Sequence, residues 1–163
     1  MIESFTGRWR FLSNFYPVEI QYKGIKYPSV ENFYVAMKIK EDQVINNKFM
    51  TLSDCQELIS KIKNPSEVKK LGKSLKVRKD WNEIKLKIME WAVNEKFKNI
   101  DLAKMLLETG DEQLIEGNWW GDVYWGICNG KGENNLGKIL MKIRERIKNK
   151  EEIIVDFPQK KLI

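Results

Sequence analysis

The chain of 163 residues contains no histidine, so acid–base chemistry near neutral pH must fall to Asp, Glu, Lys, Tyr or Cys side chains. Its two cysteines, Cys55 and Cys128, lie in dissimilar surroundings without a metal-binding spacing, which argues against structural zinc and against a disulfide framework. We expect both to be small buried fillers. No apolar run approaches the roughly 20 residues of a membrane span, and residues 1–8 lack the apolar core of a secretion signal. These absences predict a cytoplasmic protein without a metal, a cofactor or membrane contact.

The composition that is present, 42% hydrophobic and 32% charged residues, is typical of a globular protein. The length suits one domain with a conventional apolar core. The net charge of +6 favours ligands that carry phosphate, or nucleic acid, through long-range attraction. Much of this charge lies in residues 138–150, where it could equally be the solvated face of the last helix.

A small β-hairpin is predicted near the N-terminus, because apolar residues alternate on both sides of the Lys23-Gly24 turn. The preceding segment, residues 11–17, places a Ser-Asn pair between aromatic residues and reads as a tight corner. Residues 113–117 are predicted to be extended, and residues 153–155 to add an edge strand.

Helices are predicted from their N-terminal capping signals and apolar periodicity. The predicted caps are Ser29, Ser53 with Gln56, Asn64 with Pro65, Asp80, Asn99 and a position near Asn134. The helix from Trp81 to about Lys98 has two apolar faces, so we expect it to be mostly buried. The pattern predicts a single, mainly helical α+β domain over residues 1–148, followed by a tail over residues 149–163.

The most unusual stretch runs from residue 119 to residue 137, with three of the six tryptophans and five of the ten glycines. This pairing fits a pocket for a flat polar ligand, and it fits equally a tight turn beneath an aromatic cluster. Asn135 stands where a dinucleotide fingerprint needs its third glycine, and Ile139 follows Lys138 where a P-loop needs Ser or Thr. What remains is a loop whose amides, with the next helix N-terminus, could hold a phosphate.

Glu31 falls in the first turn of the helix that Ser29 caps, and Lys38 lies two turns later on the same side. A first-turn carboxylate often does no more than complement the helix dipole. From the residues, the dipole role and a catalytic role both stay open.

Several blocks of residues, in a fixed order over about residues 5–146, resemble one known family. The blocks are Phe11–Pro17, Tyr27–Glu31 with Lys38, Leu71–Lys73, Trp81 with Lys85 and Met89, Lys96-Phe97, Leu106–Asp111, Leu114–Glu116, Asp122 with Trp125-Gly126, and Gly130–Met141 with Arg144. The family is the YbiA-like proteins, also called the NADAR domain for its association with NAD and ADP-ribose. The resemblance implies a compact, mostly helical single domain with a small N-terminal hairpin.

The resemblance further implies a metal-independent N-glycosidase. Members of the family hydrolyse phosphoribosylated pyrimidine intermediates of riboflavin synthesis, and others reverse ADP-ribosylation of guanine. Glu31 and Asp122 would be the catalytic carboxylates. The substrate would be bound by Asn14, Phe15, Lys38, Trp81, Trp120, Trp125, Gly130, Gly132, Asn134 and Arg144. Asn32 replaces a histidine that is frequent in the family, and an arginine that is common near Lys73 is absent, so substrate contacts at these two places differ from the family's pattern.

Cleavage of an N-ribosyl bond passes through an oxocarbenium-like sugar, for which carboxylates suffice. Glu31, at a helix N-terminus, suits an ionised role that orients water or stabilises the cation. Asp122, flanked by tryptophans, suits protonation of the leaving base. This division of labour is a hypothesis.

The expected partner is a small ribosyl phosphate or an ADP-ribose conjugate, with ADP-ribosylated nucleic acid as a further candidate, bound by a monomer or small homo-oligomer. One alternative is a non-catalytic module that binds ADP-ribose or NAD. The two carboxylates argue against it, because negative charge near a polyphosphate weakens binding. A second alternative is a nucleic-acid-binding protein that uses basic helices and aromatic side chains.

Overall fold

The structure, a computed structural model, describes residues 1–151 and residue 157. The chain divides into two compact units. We call Met1–Tyr16 with Val93–Val155 the terminal unit, and Pro17–Ala92 with Asp156–Ile163 the inserted unit. The mainly helical α+β architecture predicted from the sequence is confirmed, whereas the domain boundaries at residues 148 and 149 stay a prediction.

The inserted unit contains two hairpins and the first helices. The elements are β1 (Ile20–Tyr22), β2 (Ile25–Tyr27), α1 (Val30–Met37), β3 (Gln43–Ile45), β4 (Lys48–Met50), α2 (Leu52–Lys61), α3 (Pro65–Gly72) and the start of α4 (Trp81–Lys96). The predicted hairpin is confirmed, because β1 and β2 pair antiparallel with Ile20 opposite Tyr27.

Most predicted helix starts are confirmed by their capping hydrogen bonds. Ser29 accepts the N–H of Asn32 at the start of α1, and Asn64 accepts the N–H of Ser66 at the start of α3. The Ser53 cap is wrong, because α2 begins earlier and Thr51 accepts the N–H of Asp54. A threonine hydroxyl fulfils the same capping role two residues upstream.

Two further residues of the predicted caps make other side-chain contacts. Gln56, the expected partner of Ser53, donates to the carbonyl of Ala36 and so joins α2 to α1. Asp80, directly before α4, binds the Arg78 guanidinium through both carboxylate oxygens, at 2.6 and 3.1 Å. The capping of α4 by Asp80 stays a prediction.

The hairpin of β3 and β4 was not predicted. Its turn is Asn46-Asn47, and both residues have positive φ, 52° and 63°, as a type I′ turn requires. Asparagine tolerates this left-handed region better than most residues. The sequence signal was weak because the usual Asn-Gly pair is absent and the strands are three residues long.

Aromatic rings form much of the core of the inserted unit. Phe33 of α1 lies 5.7 Å from Tyr22 and 5.2 Å from Trp91, between ring centroids. Phe157, the one described residue beyond Glu151, packs against Tyr22 and Trp91 at 5.2 and 4.8 Å. The edge strand predicted for residues 153–155 lies outside the described residues.

The terminal unit starts with a 3₁₀ helix and continues after α4. Its elements are the 3₁₀ helix Gly7–Leu12, α5 (Ile100–Glu108), β5 (Gly117–Asn118), β6 (Ile127–Cys128) and α6 (Asn135–Lys148). Asn99 caps α5 by accepting the N–H of Leu102, as predicted. Ile2 forms a parallel bridge with Leu114, which agrees with the extended segment expected at residues 113–117.

Cys55 and Cys128 are both buried and free, which confirms their role as fillers. Within the described part of the chain, no helix has the length and apolar character needed to cross a membrane.

Candidate active site

Glu31 is partly exposed, whereas the other seven residues of α1 are buried. Asn32, beside it, turns away and donates to the carbonyls of Ile59 and Ile62 at 2.8 and 2.9 Å. The asparagine that replaces the family's frequent histidine thus binds α1 to the end of α2. Glu31 is therefore the one partly exposed side chain of α1.

Lys38, directly after α1, lies on the same face of the helix as Glu31 and Tyr34. Its ammonium is 5.4 Å from the centroid of the Tyr34 ring. Burial lowers the pKa of Lys38; the nearby Glu31 carboxylate opposes this effect, and three further lysines, Lys85, Lys69 and Lys73, add to it. Lys38 is a half-buried cation next to one carboxylate and several other cations.

Trp81 begins α4 and covers this face from another side. Its ring lies 5.0 Å from the ring of Tyr34, and the side chain is 7% exposed. Tyr34 and Trp81 thus form an apolar wall beside Glu31 and Lys38. The predicted grouping of Glu31, Lys38 and Trp81 is consistent with these contacts.

Asp122 lies in the terminal unit, in the loop between β5 and β6. Its Oδ1 accepts the N–H groups of Tyr124 and Trp125 at 3.1 and 2.9 Å, and its own N–H donates to Asn118. The Asn118 side chain returns a bond to the Asp122 carbonyl at 2.8 Å. One carboxylate oxygen therefore fixes the turn, and the other is not used in these turn contacts.

The tryptophans of this loop differ in exposure. Trp119 is 86% exposed and Trp120 is 46% exposed, with their rings edge to face at 5.7 Å. Trp125 is half-buried against Tyr124. The predicted aromatic cluster beneath a turn therefore fits Trp125. The rings of Trp119 and Trp120 are instead largely or partly exposed to solvent.

Gly132 and Asn134, which are predicted to bind substrate, also have structural roles in this loop. A Cβ at Gly132 would lie 2.2 Å from the Gly126 carbonyl oxygen, whereas Gly130 has open space around it. Asn134 is buried, at φ 53°, and its amide bonds Leu114 and Glu116. It precedes α6, which begins at Asn135, without a side-chain cap. Substrate binding by these residues stays a prediction.

The predicted corner at residues 11–17 is confirmed. Ser13 Oγ accepts the N–H of Phe15, and the carbonyl of Ser13 accepts the N–H of Tyr16. Oδ1 of Asn14 is shielded from solvent, and Phe15 is 37% exposed. Asn14 and Phe15 are thus held on a rigid turn.

Lys96 lies beneath this corner. The sequence places it in a block of the family resemblance with Phe97, but not among the candidate site residues. Its side chain is fully buried, its ammonium donates to the carbonyl of Ser13 at 2.8 Å, and it lies 5.8 Å from the Tyr16 ring centroid. Burial lowers the pKa of Lys96 to about 7, although the Glu116 carboxylate acts in the opposite direction. A lysine in the last turn of a helix commonly does no more than complement the helix dipole, and Lys96 occupies that position on α4. Among its neighbours, the apolar Phe97 was the sign of burial that the sequence offered.

Arg144 of α6 donates to the hydroxyl of Thr109 at 2.9 Å, at the end of α5. This hydrogen bond holds the guanidinium of Arg144, which is predicted to bind phosphate, in place within the terminal unit. Among the described residues, no group of three or more His, Cys, Asp or Glu side chains could hold a metal ion.

Comparison with known proteins places the chain in a family. The model of the NADAR domain matches residues 4–148. N-glycosidase Npun_R5314 of Nostoc punctiforme is 37% identical over 141 residues, which cover 84% of this chain and 85% of that protein. N-glycosidase YbiA of Escherichia coli is 30% identical over 139 residues, with 83% and 79% covered.

A longer relative and a solved structure are similar to the same part of the chain. Riboflavin biosynthesis protein VVA0006 of Vibrio vulnificus is 35% identical over 141 residues, and the match spans 84% of this chain but 35% of that protein. The NMR structure of E. coli YbiA has a TM-score of 0.73 at 28% identity, with 94% of this chain and 88% of that chain covered. The chain belongs to the NADAR domain family, whose YbiA branch contains N-glycosidases.

Proposed function

We propose that this protein is an N-glycosidase that hydrolyses the bond between a base and the ribose of a phosphate-bearing substrate. The observation that carries the proposal is the surrounding of Glu31: a carboxylate at a helix N-terminus, beside Lys38 and the Tyr34–Trp81 wall. This combination offers negative charge for a sugar cation and positive charge for phosphate, backed by two largely buried aromatic rings. The names of the relatives support the same reaction class.

The proposed reaction needs two functions. As the C–N bond breaks, C1 and the ring oxygen of ribose gain positive charge, and Glu31 stabilises this charge or orients the attacking water. The helix N-terminus and Lys38 place positive potential beside the Glu31 carboxylate. The departing base needs a proton, for which Asp122 is the candidate. Asp122 belongs to the terminal unit, so its part in this reaction rests on the family resemblance.

Two substrate groups fit the proposal, a phosphoribosylaminopyrimidine and an ADP-ribosylated guanine. A relative named as a riboflavin biosynthesis protein favours testing the first. The net charge of +6 favours including the second on DNA. Both place a phosphorylated ribose next to a planar leaving group.

The test is a mass-spectrometric hydrolysis assay at neutral pH with EDTA present. The substrates are the phosphoribosylaminopyrimidine, DNA with ADP-ribosyl guanine, ADP-ribose and NAD. Wild type is compared with Glu31→Gln, and Asp101→Asn is the matched control, since Asp101 is an exposed first-turn carboxylate of α5. Release of a free base by wild type and Asp101→Asn, with a loss of about 100-fold or more in Glu31→Gln, supports the proposal.

Other outcomes contradict it. Equal rates in wild type and Glu31→Gln would remove Glu31 from the chemistry. Activity abolished by EDTA and restored by a metal would overturn the metal-independent mechanism. Binding of ADP-ribose without any cleavage would identify a binding module instead.

A further inference from the structure

A cavity of about 280 Å³ lies in the inserted unit, on another side of α1 from Glu31. Met37 is one of its lining residues, and it follows Glu31 by six positions, which is about 120° around the helix axis. Much of the wall is apolar, with contributions from Tyr27, Ile39 and Leu52. None of the described residues that line the cavity belongs to the predicted substrate-binding set. The cavity therefore differs from the candidate active site.

Tyr22 of β1 lines the cavity and carries a buried hydroxyl group. Its ring packs against Phe33 and Trp91, at 5.7 and 5.8 Å between ring centroids. The hydroxyl oxygen has no hydrogen-bond partner among the described residues. Burial raises the pKa of Tyr22, so the hydroxyl keeps its proton at neutral pH and can donate. A buried hydroxyl without a partner is unfavourable, and an acceptor in the cavity would remove that penalty.

Lys23 places positive charge beside the Tyr22 ring, on the solvent side of the cavity. The residue is exposed, and its ammonium lies 5.5 Å from the centroid of that ring. Lys23 and Gly24 both have positive φ, 47° and 79°, in the tight turn that joins β1 to β2. This turn fixes the backbone of Lys23 next to Tyr22. An ammonium group at the edge of an apolar cavity attracts an anion.

Two further charged groups near the cavity do not offer themselves to a ligand. Arg78 lines the cavity, but its guanidinium binds Asp80 through two hydrogen bonds. Glu57 is the carboxylate that acts on Tyr27, and it is not one of the described lining residues. No Asp or Glu side chain belongs to the described part of the wall. Lys23 is therefore the exposed charge that a ligand meets at this cavity.

We propose that the cavity binds a small aromatic monocarboxylate, with its ring between the apolar side chains and its carboxylate toward Tyr22 and Lys23. An apolar cavity of about 150 Å³ accommodates benzene, so this larger cavity has room for one substituted ring. The carboxylate accepts a hydrogen bond from the Tyr22 hydroxyl, and the Lys23 ammonium adds charge attraction. The ligand is a second molecule beside any ribosylated substrate, so the proposal does not depend on the proposed function.

The test is a titration with benzoate, followed by NMR of the tryptophan indole N–H groups. Trp91 contacts Tyr22, and its signal is identified by its loss in Trp91→Phe. Trp119 belongs to the terminal unit and is 86% exposed, so its signal is the internal control. We expect benzoate to shift the Trp91 signal in a saturable way and to leave the Trp119 signal unchanged.

Variants test the two groups assigned to the carboxylate. Tyr22→Phe keeps the ring contacts and removes only the hydroxyl, so benzoate should bind about tenfold more weakly. Lys23→Gln should weaken binding by about threefold, since the ammonium is exposed and partly screened. Lys26→Gln is the matched control, because Lys26 is an exposed lysine of β2 outside the described lining. Glu31→Gln should bind benzoate as wild type does.

Two related molecules test the class of ligand. Benzamide is neutral and should bind at least about tenfold more weakly than benzoate, and acetate, which lacks the ring, should cause no saturable shift. Equal binding of benzamide and benzoate would overturn the proposal.

The remaining outcomes concern the place of binding. A shift of the Trp119 signal instead of the Trp91 signal, or equal affinity in wild type and Tyr22→Phe, would overturn the proposal. Loss of binding in Glu31→Gln would place benzoate in the candidate active site and overturn the separate cavity. Hydrolysis of ribosylated substrates is measured separately, so failure of either proposal leaves the other standing.

Discussion

The ammonium of Lys96 donates a 2.8 Å hydrogen bond to the main-chain carbonyl of Ser13, 83 residues earlier in the chain. This bond joins the last turn of α4 to the corner that carries Asn14 and Phe15. Because Lys96 is fully buried, its protonation state is part of the energetics of folding.

Lys96 should make stability depend on pH in a defined window. Its pKa is about 7 in the folded protein and roughly 10.4 in an unfolded chain, so between these values the unfolded state holds more protons. The contribution of Lys96 to the free energy of unfolding therefore rises with pH across this window, by up to about 1.4 kcal/mol per pH unit. Below pH 7 Lys96 is charged in both states, and the folded state carries the full cost of burying that charge.

Denaturant unfolding from pH 6 to pH 10 measures this dependence. Lys96→Met should lose the rise. Lys98→Met is the control, since Lys98 is exposed and pairs with Glu95 at 2.6 Å. An identical slope for wild type and Lys96→Met would contradict the prediction.

Asn134 should be important for stability independently of any substrate. Asn134→Ala removes two hydrogen bonds, to Leu114 and Glu116, and places alanine at φ 53°. We expect a loss of about 2–4 kcal/mol in the free energy of unfolding. Asn129 has a similar φ of 51° but is exposed, so Asn129→Ala should cost only about 1 kcal/mol. Chemical denaturation of both variants checks the difference.

Gly137 should tolerate no side chain, although its neighbourhood was predicted as a phosphate loop. A Cβ there would lie 2.1 Å from the carbonyl oxygen of Leu114. Gly137→Ala should therefore destabilise by about 3 kcal/mol, whereas Gly130→Ala, in open space at φ 74°, should cost about 1 kcal/mol. Thermal melts compare the pair, and equal losses would show that the close approach relaxes freely.

Asp122 allows its structural and chemical contributions to be separated. Asp122→Asn keeps an oxygen that can accept the N–H groups of Tyr124 and Trp125, so the melting temperature should change by only a few degrees. If Asp122 protonates the leaving base, kcat should fall by about 100-fold or more. Asp122→Ala should lose both stability and rate.

The pH–rate profiles of Asp122→Asn and Glu31→Gln provide a further check. Each variant should lose one limb of the wild-type profile, because each removes one titrating carboxylate. Profiles that keep both limbs in both variants would contradict the division of labour between the two residues.

Local signals in the sequence predicted much of the helical part of the fold. Ser29, Asn64 and Asn99 act through their own backbone neighbours, so short motifs suffice to locate them. The Asn46-Asn47 hairpin was missed because its strands are short and its turn lacks glycine. Local capping preferences also could not separate Thr51 from Ser53, since both hydroxyls precede the same apolar pattern.

The candidate site was predictable where residues share one helix and unpredictable where distant segments meet. Glu31 and Lys38 could be paired from spacing, because seven residues span two helical turns. The approach of Lys69 and Lys73 depends on Gly72 packing against Val35, which no local pattern encodes. The burial of Lys96 was missed for the same reason, because its partner Ser13 is remote in sequence.

The bridge between Ile2 and Leu114 has a consequence for synthesis of the chain. The terminal ammonium of Met1 meets Glu112, 111 residues away, so the N-terminal segment leaves the ribosome long before its partners exist. Residues 17–92 form one contiguous stretch in which α1 packs on both α2 and α3, so these contacts can form in the meantime. Phe5, Phe11 and Leu12, which are buried in the finished protein, belong to the segment that waits for the rest of the terminal unit.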